Sequence, residues 1–260
     1  MKKAYLTIDD APSRDFTAKM EFLVRRSVPA IFFCEGRRME QHAEALLAAV
    51  RNGFLLGNHA YSHPHFSDIP VEECKREIRR TDDLLEALYG RTGIPRPAKY
   101  FRFPHFDGGG DESGAAYEAK WSGPPSEWYR FPREEKRREL QTYLRELGYR
   151  QPRFEGINPK YIVDPYLSTR VDVRCTFDQA EYWYGEPGAP WNLSEEAAIL
   201  ARIEEDLPFE GRSLNREDTV DIILVHDHEK TTDLFFRILN RYLEKGIHFL
   251  EIPREFRDSP

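Results

Sequence analysis

The stretch Ala4-Tyr5-Leu6-Thr7-Ile8-Asp9-Asp10-Ala11-Pro12-Ser13 decides how the chain is read. A short apolar run that ends in two aspartates suits a buried strand with carboxylates at its C-terminal tip. After 48 intervening residues comes His59-Ala60-Tyr61-Ser62-His63-Pro64. Neighbouring side chains of an extended strand point to opposite faces, so the tip must bend if Asp9 and Asp10 are to share one site. One carboxylate and two imidazoles make a three-ligand set that leaves a divalent cation open to water, as catalytic sites do and closed structural sites do not. The other carboxylate is then free to act as a base. An Asp-Asp turn or helix cap before Pro12 is the plainer alternative, but it leaves the histidines unexplained.

Working outward, Phe16 to Val24 has helical spacing, Pro29 to Cys34 reads as a second strand, and Met39 to Val50 as an amphipathic helix. Phe54 to Gly57 is a third strand that runs straight into the histidine pair. Pro70 marks the start of a helix reaching about Tyr89, with Ile78, Leu84, Leu85 and Leu88 inward. Lys99 to Arg102 reads as a fourth strand, Val220 to Val225 as an apolar strand ending at His226-Asp227-His228, Thr231 to Glu244 as a helix, and His248 to Ile252 as a last strand. This βα rhythm belongs to a parallel sheet or barrel. In barrels of this kind the chemistry lies where strands end. Six of the eight histidines fall at such places, which scattered core or surface histidines would have no reason to do. The i, i+4 spacing of His59 and His63 puts both on one face of a helical turn, and Pro64 requires any such turn to end at His63.

The rhythm breaks between Gly108 and Thr169, where one good helix, Glu134 to Leu147, interrupts long loops rich in aromatics, glycine and proline. Loops this long in a compact enzyme are usually functional or disordered. We read residues 1–260 as a single domain carrying an insertion over 108–169.

A net charge of −7 argues against a general nucleic-acid binder, and no stretch is long and apolar enough to span a bilayer. Cys34, Cys74 and Cys175 are odd in number and contain no Cys-x-x-Cys pair, so reduced thiols are expected. Lys2 and Lys3 are followed by too short an apolar run for a signal peptide, and a cytoplasmic location is the expectation.

Four motifs in order resemble the polysaccharide deacetylase family, also called the NodB-homology family or carbohydrate esterase family 4. The family's Thr-Phe-Asp-Asp-Gly-Pro stands here as Thr7-Ile8-Asp9-Asp10-Ala11-Pro12, and its spaced histidine pair as His59 and His63. Its Arg-x-Pro is Arg102-Phe103-Pro104, and its Leu-x-His is Leu224-Val225-His226. The resemblance implies a distorted (β/α) barrel of about seven parallel strands. It implies metal binding by Asp10, His59 and His63, with Asp9 as general base and His226 as general acid. Arg102 would orient and hold Asp9 or its carboxylate partner, Pro104 would shape its loop, and the backbone N–H of His105 would help hold the oxyanion. Leu224 would pack against an acyl methyl group. A further family motif, Asp-x-x-Asp-Trp, is matched most nearly by Asp178-Gln179-Ala180-Glu181-Tyr182-Trp183, which would pair Asp178 with Arg102 and make Trp183 a pocket wall. Asp172 is a rival for Asp178, and the aromatics around Trp183 suit core packing equally well.

Two departures from the family pattern are Ala11 in place of Gly, so the turn there cannot require a glycine-only conformation, and Phe106 where a Gly usually follows the Arg-x-Pro. The resemblance implies a hydrolase that removes an N-acetyl group from an N-acetylated sugar, with one divalent ion, zinc first and cobalt, nickel or iron next. The context expected is surface-polysaccharide or O-antigen assembly, with no nucleic-acid partner and no membrane insertion. A non-sugar C–N amidase and a retired carbohydrate-binding protein are the alternatives. His65 is read as an outer partner of the metal site or a surface residue and His228 as a structural hydrogen bonder, and the sequence sets no oligomeric state.

Overall fold

The computed structural model describes residues 1–110, 135–157, 170–206 and 213–254. Strand β1 (Lys3–Ala11) lies at the centre of a parallel sheet ordered β3-β2-β1-β5-β4, with β2 at Ala30–Cys34, β3 at Leu55–Asn58, β4 at Phe177–Asp178 and β5 at Val220–His226. β6 (His248–Phe249) pairs with the foot of β1. Parallel bridges carry the sheet on from Asn58 to Phe101 and from Phe101 to Asp172, and the chain then enters β4 beside β5. The sheet thus wraps back towards itself as a distorted α/β barrel.

About seven strands are expected and six are regular among the described residues. The difference is Lys99–Arg102, which keeps only bridges at Phe101. Pro97 and Pro104 flank it, and neither has an N–H with which to extend the ladder beyond it. It still ties neighbours together, because Asn58 N donates to Tyr100 O at 2.8 Å and Val173 N to Phe101 O at 2.8 Å. The last strand is also shorter than expected, ending at Phe249 rather than Ile252.

Seven helices surround the described sheet: α1 (Phe16–Arg25), α2 (Gly36–Gln41), α3 (Ala43–Arg51), α4 (Val71–Thr92), α5 (Glu135–Glu146), α6 (Glu196–Ala201) and α7 (Thr232–Glu244). The helix expected over Met39–Val50 is two, broken at His42. Gly36 opens α2 where a Cβ would meet Thr81 Oγ1 at 2.5 Å and the Tyr61 ring at 2.6 Å, so no larger residue fits. α4 ends at Gly93, whose φ of 69° closes the helix in the left-handed conformation. Within the expected insertion, α5 matches the sequence reading and packs Leu140 and Leu144 on Cys74 and Ile78 of α4. Residues 111–134 and 158–169 of that insertion lie outside the described residues. Among the described residues no helix is long and apolar enough to cross a membrane.

Strand alternation sorts the core into two layers. Ala4, Leu6, Ile8, Phe32, Ile223 and Val225 face the helices. Tyr5, Ile31, Phe33, Leu55, Tyr100, Val173 and Ile222 fill the barrel interior. Each fully buried large apolar side chain contributes about 1.5–3 kcal/mol, so β1 is a rigid base for what it carries. The period of two then dictates the next inward layer: Thr7 and Asp9 above Tyr5, Leu224 and His226 above Ile222, and Gly57 and His59 above Leu55. The register confirms it, with Thr7 beside Leu224 and Asp9 beside His226.

Candidate metal centre

Alternation alone would send Asp10 to the helix side of the sheet. The pairing of β1 with β2 runs Ile8 to Phe32 and then Ala11 to Cys34, three steps against two. Asp10 takes a φ of 61° at this irregularity, which turns its carboxylate into the barrel beside Asp9. Aspartate tolerates the left-handed region better than most residues. The positive φ falls on Asp10 and not on Ala11, so the loop forms without glycine.

His59 follows β3, and its Nδ1 lies 2.8 Å from the carbonyl of Arg102. A carbonyl only accepts, so Nδ1 carries the proton and Nε2 presents a lone pair, as metal-ligating histidines do. Asp10 Oδ1 lies 3.4 Å from His59 Nε2 and 3.0 Å from His63 Nε2. It is buried yet forms no well-aligned hydrogen bond. The three ligand atoms lie within 4.8 Å of one another, and a buried anionic oxygen facing two imidazole nitrogens fits a divalent cation. Burial alone would raise the Asp10 carboxyl, but His63, His228 and His59 hold it well below the usual carboxylate range. Burial works against the His63 cation, and Asp10 overrides it and raises the group.

His59 and His63 do not share a helical turn. Ala60 and His63 take φ values of 63° and 61°, and the loop between is clamped from α4. Buried Glu77 accepts hydrogen bonds from Tyr61 N at 2.9 Å and Ser62 N at 2.7 Å.

Arg102 is fully buried. Its guanidinium donates to Asp9 Oδ1 at 2.7 Å, Thr7 Oγ1 at 2.9 Å and the Val173 carbonyl at 3.1 Å. Asp9 Oδ2 is left facing the centre, 3.7 Å from His59 Nε2. Asp178, expected to pair with Arg102, is placed elsewhere. Ala180 adopts a left-handed turn, and Asp178 and Glu181 both converge on His226. The rival Asp172 is taken by Arg170, at 2.8 and 2.7 Å.

His226 Nδ1 lies 3.4 Å from Glu181 Oε1, and the same oxygen accepts the His226 backbone N–H. Burial opposes the imidazolium, but the Glu181 carboxylate prevails and lifts the group from 6.5 to about 10. Burial, reinforced by Glu181, pushes Asp178 up to about 6. The ring set edge-on to His226 is Tyr182, at 4.9 Å, while Trp183 packs behind Tyr182 at 5.5 Å and against the core. Leu224 is buried on the strand position beside Thr7. Pro104 opens a short turn in which His105 and Phe106 take φ values of 54° and 56°. The His105 ring stacks on His65 at 3.8 Å and meets His63 edge-on at 4.4 Å. Burial and the neighbouring His63 and His65 lower its imidazole to about 3. His65 itself lies 3.4 Å from Asp107.

Glu181, Glu77 and the network around Asp227 have no role in the sequence reading. Asp227 is fully buried and accepts from Lys19 Nζ, Ser13 Oγ and Ser13 N, each at 2.6 Å. It ties the loop after β1 to the loop after β5. Glu181 stands at the second acidic position of the Asp-x-x-Asp-Trp match without a role assigned to it, whereas no motif or spacing signals Glu77 or the partners of Asp227, which only the fold joins to the site.

Fold and site together define a class: an α/β barrel with a triad able to hold a cation at its strand ends and a carboxylate and an imidazole beside it. Residues 1–111 match the model of the polysaccharide deacetylase family. That span is less than half of the 260 residues. It is 34% identical over 86 residues to a peptidoglycan-N-acetylglucosamine deacetylase of Bacillus cereus, a match covering 33% of this chain and 31% of that protein. It is 25% identical over 130 residues to a chitooligosaccharide deacetylase of Rhizobium leguminosarum bv. trifolii, covering 50% of this chain and 60% of the relative. The peptidoglycan deacetylase structure from Bacillus subtilis superposes with a TM-score of 0.58 at 18% identity, over 96% of this chain and 87% of that one, which establishes a shared fold.

Proposed function

We propose that the chain is a divalent-metal-dependent hydrolase that removes the N-acetyl group from an N-acetylated sugar. The observation that carries this reading is the flanking of Asp10, His59 and His63 by two groups of opposite duty. Asp9 has one oxygen anchored by Arg102 and the other facing the centre, and His226 lies beside Glu181, whose carboxylate favours the imidazolium. The names of the relatives support an N-acetylated sugar as the amide.

Asp10, His59 and His63 would hold the cation, zinc or else cobalt, nickel or iron, which would supply Lewis acidity toward the acetyl carbonyl and water. Asp9 Oδ2 accepts the proton of the attacking water. The backbone N–H of His105 donates to the acyl oxygen as negative charge develops on it. His226 passes its proton to the nitrogen as the C–N bond breaks, and acetate and a free amine leave. Leu224 packs against the acetyl methyl, and Tyr182, with Trp183 behind it, lines the side of His226. The context we propose is a cytoplasmic step in surface-polysaccharide or O-antigen assembly, acting on a nucleotide-linked or lipid-linked sugar. The buried free thiols of Cys34 and Cys74 support a reducing compartment.

The test is acetate release from N-acetylated sugars by the metal-loaded chain, with Asp9→Asn as the control. Acetate release that the substitution removes is expected. A folded, metal-loaded chain that releases no acetate refutes the reading, and ammonia or ring opening from ureides redirects it to a non-sugar amidase.

A further inference from the structure

His228 lies two residues past the proton donor and engages the oxygen of Asp10 that the other imidazoles leave alone. Its Nε2 is 2.6 Å from Asp10 Oδ2, whereas Oδ1 faces His59 and His63. A carboxylate in contact with three imidazoles accepts but does not donate, so the proton of this bond sits on His228 Nε2. We propose that His228 is a positioning residue that fixes the rotation of the Asp10 carboxylate, so that Oδ1 alone is presented to the cation.

The terminal torsion of an aspartate is soft and nearly two-fold, so an unheld carboxylate exchanges its oxygens freely. Asp10 sits on an irregular strand tip with a positive φ, where the backbone alone does not fix it. The histidine that holds it is itself firmly mounted. Lys19 Nζ donates to the His228 carbonyl at 2.9 Å and to Asp227 Oδ1 at 2.6 Å. Asp227 N donates to Asp9 O at 2.8 Å, and the Asp227 side chain grips Ser13, three residues past Asp10. Lys19 and Asp227 are buried, so water does not compete for these bonds. Ordering a ligand before the ion arrives removes an entropic cost from binding. Leaving Oδ2 occupied also keeps Asp10 from chelating through both oxygens, which saves a coordination position for water and substrate.

The inference rests on the metal site of the proposed function but not on its substrate. Its test is calorimetric titration of the metal-free chain with Co²⁺ alone, comparing the parent with His228→Ala and His228→Gln. The glutamine amide can donate to Oδ2 as the imidazole does. Loss of an outer partner of this kind weakens metal binding about 10–100-fold, the result expected for alanine, with glutamine recovering most of it. Thermal unfolding of the metal-free chains separates a lost ligand orientation from a lost fold, and a folded glutamine variant decides the matter where alanine unfolds. Alanine binding as tightly as the parent, or folded glutamine binding as weakly as alanine, overturns the proposal. A parent that binds no Co²⁺ overturns the metal site itself. Tight binding without acetate release overturns only the proposed function.

Discussion

Glu181→Gln isolates the electrostatic partner of the proton donor while keeping the size of the side chain. The Glu181 oxygen and His226 Nδ1 are 3.4 Å apart. At an effective dielectric constant of ~20 this pair is worth ~5 kcal/mol. That corresponds to about 3.5 pH units on the imidazole, which with the carboxylates of Asp10 and Asp178 outweighs burial and carries the group from 6.5 to about 10. A general acid works only while protonated, so activity is lost as pH rises through its pKa. At pH 8 a group with a pKa of about 10 is about 99% protonated and one near 6.5 about 3%, a fall of about 30-fold. The glutamine variant should therefore lose its alkaline limb of kcat/KM at least about two pH units below the parent, and keep most of its activity near pH 6. A bound cation lowers both profiles alike, so the displacement between them is diagnostic. Acetate release measured from pH 5 to 10 at constant ionic strength gives the two curves. Superimposable profiles, or a loss of rate equal at every pH, would refute the assignment of His226 as the acid tuned by Glu181.

Lys19→Met leaves the fully buried Asp227 without its cation. Breaking one side of a buried ion pair costs about 3–5 kcal/mol, so urea unfolding of the metal-free chain should show a loss of that order, and parental stability would contradict it. Arg102→Lys keeps the charge but cannot reach Asp9, Thr7 and the Val173 carbonyl together. We expect kcat to fall about 100-fold through misplacement of Asp9, with KM changed only a few-fold. An unchanged kcat in steady-state kinetics would show that the guanidinium fork does not place the base.

Much of the barrel is legible before folding because its strands are short, apolar and bounded. The alternation of Tyr5, Thr7 and Asp9 against Leu6 and Ile8 already separates an inward from an outward face. Where the sequence reading misses, the cause is tertiary. Lys99–Arg102 has strand composition, but its flanking prolines reduce it to bridges. Met39–Val50 has unbroken amphipathic spacing, and neither glycine nor proline marks the break at His42. The loop from His59 to His63 looks like a helical turn by spacing, yet Glu77 of α4 holds it in another shape.

The same division holds at the site. Asp10, His59 and His63 are visible because few residue types ligate cations and these stand at strand ends. Carboxylates that act through another residue are not visible, since any Asp or Glu can accept a hydrogen bond. Hence the motif assigns an arginine partner to Asp178, while the folded chain gives Arg102 to Asp9 and sets Asp178 and Glu181 around His226. His228 reaches Asp10 across 218 residues, a pairing with no local signature. These hidden partners share one electrostatic purpose. Asp9, Asp10, Asp178 and Glu181 are all buried within the same barrel mouth, with Arg102 bonded to Asp9 and Arg202 beside Asp178. Carboxylates kept from water favour any cation that can reach them. One such cation is the proton on His226, and another is the ion that Asp10 and its histidines are shaped to hold. The buried carboxylates around Asp10 and His226 therefore favour the cation site and the charged acid together, and neither is a property of its own residues alone.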